Sequence, residues 1–234
     1  MTTTPDPAAP PVAVLGAGGR VGRAVTAALL RQDHSVTAVL RDPDRHELPP
    51  HPRLRVVKGD AQQPERLSPI LGSVGAVVLA VTPFTAPPPS FDGFDLDYYA
   101  RIVTALDGAW TGPHRRLVAV GLTATLRLAT GDAVMDDPDL FPARLRPFAE
   151  AHARQLSAVR ATTLDWAILT PTADFGSHPG LAARQRYRLV REPLDRRQAT
   201  ARLSHATYAR AVVAETGAPT VRAQRVAVVP VTEE

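Results

Sequence analysis

The residues most suggestive of chemistry lie near the amino end, where the chain reads VAVLGAGGRVGRAV over residues 12–25. Gly16, Gly18 and Gly22 fit G-x-G-x-x-x-G, and Gly16, Gly19 and Gly22 fit G-x-x-G-x-x-G. Neither is the strict G-x-G-x-x-G. Glycines at such spacing allow a tight turn, let backbone approach a pyrophosphate, and let a helix pack close to the strand before it. The amides at the helix start then face the anion. Gly16, Gly18, Gly19, Arg20, Val21 and Gly22 therefore form a candidate phosphate cradle, with a glycine turn kept only for packing as the plain alternative. Arg20 is either a second phosphate contact or a solvated residue of the first helical turn. The next informative residue is Arg41, in VTAVLRDPDR, about 25 positions after Gly16. An acidic residue there would accept from a free ribose 2′-hydroxyl. A guanidinium instead suits a 2′-phosphate, so the expected cofactor is NADP(H). Asp42 and Asp44 could take the ribose or pair with Arg41.

Three other side chains are candidates for catalysis. His152 falls in the i, i+4 series Phe148, His152, Leu156, and a histidine can donate a proton near neutral pH; a satisfied core histidine is the alternative. Thr125 could bond a substrate carbonyl or be a turn residue. Tyr98 could reach a pocket, whereas Tyr99 lies on an apolar stripe and reads as core. The seven histidines show no H-x-x-x-H or H-E-x-x-H pattern, so no metal site is expected. There is no G-x-S-x-G elbow. Asp136, Asp137 and Asp139 read as a solvated loop or a helix cap.

Elements that could position these groups follow from hydrophobic periodicity. Short apolar runs at Val12–Leu15, 35–40, 54–57, 76–81, 117–120 and 166–169 read as strands. Helical patterns at Arg20–Arg31, 64–71, 99–110 and 145–159 alternate with them. The rhythm predicts an α/β fold with a doubly wound parallel sheet and right-handed crossovers. Its ligand crevice should lie beyond the carboxyl ends of the strands. After Pro171 the rhythm stops: Gly176, Pro179, Gly180 and Pro193 interrupt the chain. A strand-like piece at 187–190, a helix at 205–215 and a strand at 225–229 remain. Residues 12–234 are thus expected to form one domain, with 172–234 contributing a small substrate-side lobe and residues 1–11 a disordered tail.

The chain has 234 residues, 44% hydrophobic and 21% charged, enough to bury a core. It has no cysteine, which excludes disulfides and a thiol nucleophile. Of 27 basic residues all but Lys58 are arginines, spread along the chain and often beside acids, so nucleic-acid binding is not expected. No apolar run approaches the roughly 18 residues of a membrane span, and MTTTPDPAAPP lacks signal-peptide regions. A cytoplasmic protein acting on a small molecule is expected, with oligomeric state open.

GAGGRVG, VLRDP, VVKGDAQQPERL, GAVVLAVTP and TTLDWAILTPTADFG together resemble the atypical short-chain dehydrogenase/reductases. The likeness is to their NmrA-like group, which includes flavin reductase/biliverdin reductase B, over roughly residues 12–177. It implies a Rossmann fold and dinucleotide binding. It also implies that Asp60 and Ala61 lie by the adenine, that Ala80, Val81 and Thr82 line the adenosine, and that Pro171 and Thr172 flank the nicotinamide. Thr123 or Thr125 falls near a serine of relatives. The Tyr-x-x-x-Lys dyad of the main branch is absent: residues four on from the tyrosines are Ile102, Val103, Arg191 and Val212. Tyr187 and Arg191 have a similar spacing but lie in a strand. The expected function is hydride transfer from NADPH to a small ketone, enone, quinone or flavin, as in a tailoring step of bacterial secondary metabolism. A non-catalytic NADP(H) sensor, or a cyclase or isomerase without net redox, are the alternatives.

Overall fold

The computed structural model describes residues 10–178, 180–181 and 185–231. Most of the expected tail (residues 1–9) and Pro179 lie outside the described residues. Strands β1 (Val12–Leu15), β2 (Val36–Leu40), β3 (Leu54–Lys58), β4 (Ala76–Leu79), β5 (Arg116–Val120) and β6 (Asp165–Thr170) are all parallel. With β8 (Arg186–Val190) and β10 (Gln224–Val231) they form one sheet in the order β3-β2-β1-β4-β5-β6-β10-β8. The order reverses between β1 and β4, which opens the crevice of a doubly wound Rossmann fold at the carboxyl ends of those strands. Strand β10 runs parallel to β6, and β8 closes the edge antiparallel to β10.

Alternation along the strands gives the sheet two apolar faces, the pattern required when helices cover both sides. Val12, Val14, Ala38, Val78 and Leu169 pack under α1 (Arg20–Arg31) and α6 (His205–Gly217). Ala13, Leu15, Val77, Leu117 and Ile168 face α2 (Ser68–Leu71), α3 (Tyr98–Ala109) and α4 (Arg146–Arg160). Helix α1 is amphipathic and buries Gly22, Val25, Thr26, Ala28 and Leu29. The expected helix over 64–71 splits into a 3-10 turn, Pro64–Leu67, and α2. The expected 76–81 strand stops at Leu79: Ala80 still donates to the Leu15 carbonyl, but β1 turns away at Gly16, so the ladder on the β1 side ends there.

In the C-terminal part, β8 and β10 extend the main sheet and α6 covers it. The added lobe comprises β7 (Asp174–Gly176), α5 (Arg196–Thr200) and β9 (Arg202–Ser204), with β7 and β9 paired in parallel. Asp195 and Gln198 form a reciprocal capping box that starts α5. A third apolar cluster, with Leu126, Leu128, Val134, Leu194 and Val229, holds α5 and the segment after β5 over the outer strands.

Candidate cofactor site

At the carboxyl end of β1 the chain turns at Gly16, whose φ of +84° favours glycine, and whose Cβ would lie 2.5 Å from the Ala80 carbonyl oxygen. A Cβ on Gly22 would strike the Gly16 carbonyl and lie 2.8 Å from the Ala17 Cα; one on Gly18 would lie 2.7 Å from the His46 ring. Protein packing therefore accounts for three of the four glycines. At Gly19, a Cβ would come no closer than 3.4 Å to another part of the chain, the Gly16 carbonyl. Its openness is what a backbone meeting a ligand requires. Gly19 is also the N-cap of α1, with no side-chain cap and no acid in the first turn, so the positive end of a twelve-residue helix is open to an anion. Arg20 and Gly19 are exposed there, while Val21 is half-buried against the core.

Arg41 stands exposed just past β2. Asp42 pairs with Arg45 at 3.1 Å rather than with Arg41, and Arg41 has no ion-pair partner among the described residues. Asp60, past β3, accepts from the Gln62 amide at 2.9 Å, and Ala61 beside it is buried. Ala80 and Val81 are half-buried and Thr82 exposed at the end of β4. At the end of β6, Pro171 and Thr172 are buried. Thr123 donates to the Pro171 carbonyl at 2.7 Å and so ties the turn after β5 to that shelf. Among the described residues the Thr172 hydroxyl is buried without a hydrogen-bond partner, an orphan that a bound ligand could satisfy. An open glycine, an uncapped helix end, an unpaired arginine and an orphaned hydroxyl fit a dinucleotide.

The candidates for proton transfer are placed less favourably. His152 is buried; its ring lies 3.9 Å from that of Tyr99 and edge-on to Phe148 at 4.9 Å. Burial pushes its pKa down to about 3, only partly offset by Gln155. That is the setting of a neutral core histidine. Thr125 donates to the Leu122 carbonyl at 2.8 Å and accepts from Arg225 at 3.0 Å, so its proton is already committed. Tyr98 is buried, and burial raises its phenol above the usual range. The charges that act on it are those of Arg41, Asp60 and Asp95, so its neighbours are at the adenosine end.

Two features were not foreseen from the sequence. Phe84, Phe91 and Phe94 in the loop after β4 gather with Phe148 at centroid spacings of 4.9–6.5 Å. The phenylalanines of that loop were the available signal. Past β6, Asp174 pairs with His178 at 3.2 Å and Arg202 at 2.7 Å. Nearby, burial lowers the pKa of His205, with Arg20 and His178 adding to the effect, so α6 starts close to the glycine turn. These residues lie in irregular segments where no periodicity marks them. Among the described residues no group of three or more His, Asp or Glu could hold a metal, and no helix is long and apolar enough to cross a membrane.

Comparison with known proteins agrees with this geometry. The sequence profile of an NAD(P)H-binding family matches residues 16–219. No curated protein matches the chain. A Streptococcus pneumoniae structure, proposed by its description to be an NADH-flavin reductase, is 23% identical with a TM-score of 0.74, covering 95% of this chain and 100% of that one. A Bacteroides thetaiotaomicron structure proposed to be an epimerase is 23% identical with a TM-score of 0.80, covering 97% and 99%. A Veillonella parvula short-chain dehydrogenase/reductase in complex with NADP is 19% identical with a TM-score of 0.67, covering 93% of each chain. At these identities the likeness is one of fold.

Proposed function

The chain belongs to the NAD(P)H-binding family, and from that premise we propose that it is an NADPH-dependent oxidoreductase acting on a small conjugated acceptor. Arg41 carries the choice of cofactor: it stands past β2 with its guanidinium unpaired among the described residues, where a 2′-phosphate would be met. Gly19 and the first turn of α1 hold the pyrophosphate, with Arg20 beside it. Asp60 and Ala61 border the adenine, and Ala80, Val81 and Thr82 the adenosine side. Pro171 and Thr172 form the nicotinamide shelf, positioned by Thr123. When bound, the cofactor supplies hydride.

No candidate side chain is set up as a strong acid, since His152 is neutral and the Thr125 proton is engaged. Acceptors whose reduced form needs no proton from the protein, quinones and flavins, suit this site better than simple ketones. The same observation supports a second reading, a non-catalytic NADP(H) sensor. Both are tested by mixing pure protein with NADPH and a panel of quinones, flavins and enones while following the absorbance of the reduced cofactor. Oxidation with saturable acceptor dependence supports the reductase. Tight binding with no turnover on any acceptor supports the sensor.

A further inference from the structure

A second cavity, of about 730 Å³, lies between α4 and the outer strands, away from the glycine turn. That volume is within the range of small-molecule sites. One wall is a small hairpin after β5, closed by the bridge between Arg127 and Ala133, with Gly131 at its tip (φ +98°). The third apolar cluster anchors this hairpin to β10 through Leu126, Leu128 and Val134, so the wall is a built feature. The floor holds Arg225, paired with Glu192 at 2.8 Å.

The remaining charges of the lining are unbalanced. The guanidiniums of Arg160, at the end of α4, and Arg191, after β8, have neither an ion pair nor a hydrogen bond among the described residues. Arg127 reaches only the Gly131 carbonyl, at 3.0 Å. Against these three guanidiniums stand two acids: Asp132, without an ion-pair partner among the described residues, and Asp136, paired at 3.0 Å with Arg146 from outside the lining. Met135 and Leu156 add an apolar side. Guanidinium forks match carboxylates bidentately, the apolar side takes a short carbon skeleton, and Asp132 can accept from a hydroxyl.

We propose that this cavity is a binding site for a small organic dianion, a hydroxy-dicarboxylate being the chemistry that fits best. It does not depend on the redox reading, which NADPH titration of the same sample tests separately. A link to the cofactor shelf exists, because Arg225 also bonds Thr125 in the turn that carries Thr123.

Calorimetry on the full chain with malate, inorganic phosphate and sodium chloride at matched ionic strength tests the site. Saturable malate binding is expected, weakened at least about tenfold in the double variant Arg160→Gln, Arg191→Gln through lost charge-assisted hydrogen bonds. Both positions are exposed, and unchanged circular dichroism checks the variant's fold. No saturable malate binding, or binding undiminished in the variant, overturns the proposal. So does binding of phosphate without malate, which removes the carboxylate assignment.

Discussion

Arg41 and His152 are single residues whose settings lead to measurable consequences. A charge-assisted contact is worth roughly 1.5–3 kcal/mol, so Arg41→Glu should weaken NADPH binding at least about tenfold while leaving NADH nearly unchanged. Fluorescence titration with both nucleotides measures this, and equal loss for both removes Arg41 from the phosphate site. For His152 the sign follows from burial. In the unfolded chain the imidazole titrates near 6.5, whereas in the folded protein it stays neutral down to about 3. The unfolded state therefore binds the proton first, and stability falls as pH drops through that window. Between pH 7 and pH 5 the contribution is about 2 kcal/mol. Urea denaturation at the two pH values should show that fall shrinking by about this amount in His152→Gln. The sequence set His152 in the i, i+4 series with Phe148 and Leu156, and the residue is buried. The sequence could not show that Tyr99 would close over the ring, because that contact joins α3 to α4.

At the level of elements, the glycine turn separates packing from ligand binding. Gly22→Ala drives a methyl group into the Gly16 carbonyl and the Ala17 backbone. It should cost about 1–3 kcal/mol, as overpacking does, and should weaken NADPH binding as well. Gly19→Ala meets no such obstacle. Its stability should stay within about 1 kcal/mol while NADPH binding still falls. Thermal melts paired with titrations read both, and parallel behaviour of the two variants contradicts the division of roles. Regular elements were legible because their apolar positions repeat: α1 over Arg20–Arg31 and β1 over Val12–Leu15 match the sequence reading. The segment after β5 was not, since its 3-10 turns at Thr123–Thr125, Val134–Asp136 and Ala143–Leu145 have no usable period. Pairing of β7 with β9 joins residues far apart in sequence, which local patterns do not encode.

At the scale of the whole molecule, Arg116 ties the sheet to its helical cover. It is 5% exposed, bonds Asp165 at 3.0 Å, the Glu215 backbone carbonyl at 3.0 Å and the Val221 carbonyl at 2.9 Å, and lies 3.4 Å from the Glu215 carboxylate. Arg116→Ala removes the cation beside the buried Glu215 carboxylate, which keeps only the Thr220 amide and hydroxyl and the Val221 amide as donors, so the fold should lose roughly 3 kcal/mol, measured by chemical denaturation. A loss under about 1 kcal/mol would mean that water reaches Glu215 and relieves it. The knot lies at the amino ends of the strands, opposite the crevice, so a variant that still folds should keep its nucleotide preference. That preference is the centre of the account, and calorimetric titration of the intact protein with NADPH and NADH tests it most directly. NADPH should bind at least about tenfold more tightly, as the 2′-phosphate contact requires. Equal affinity for the two, or no binding of either, would contradict it.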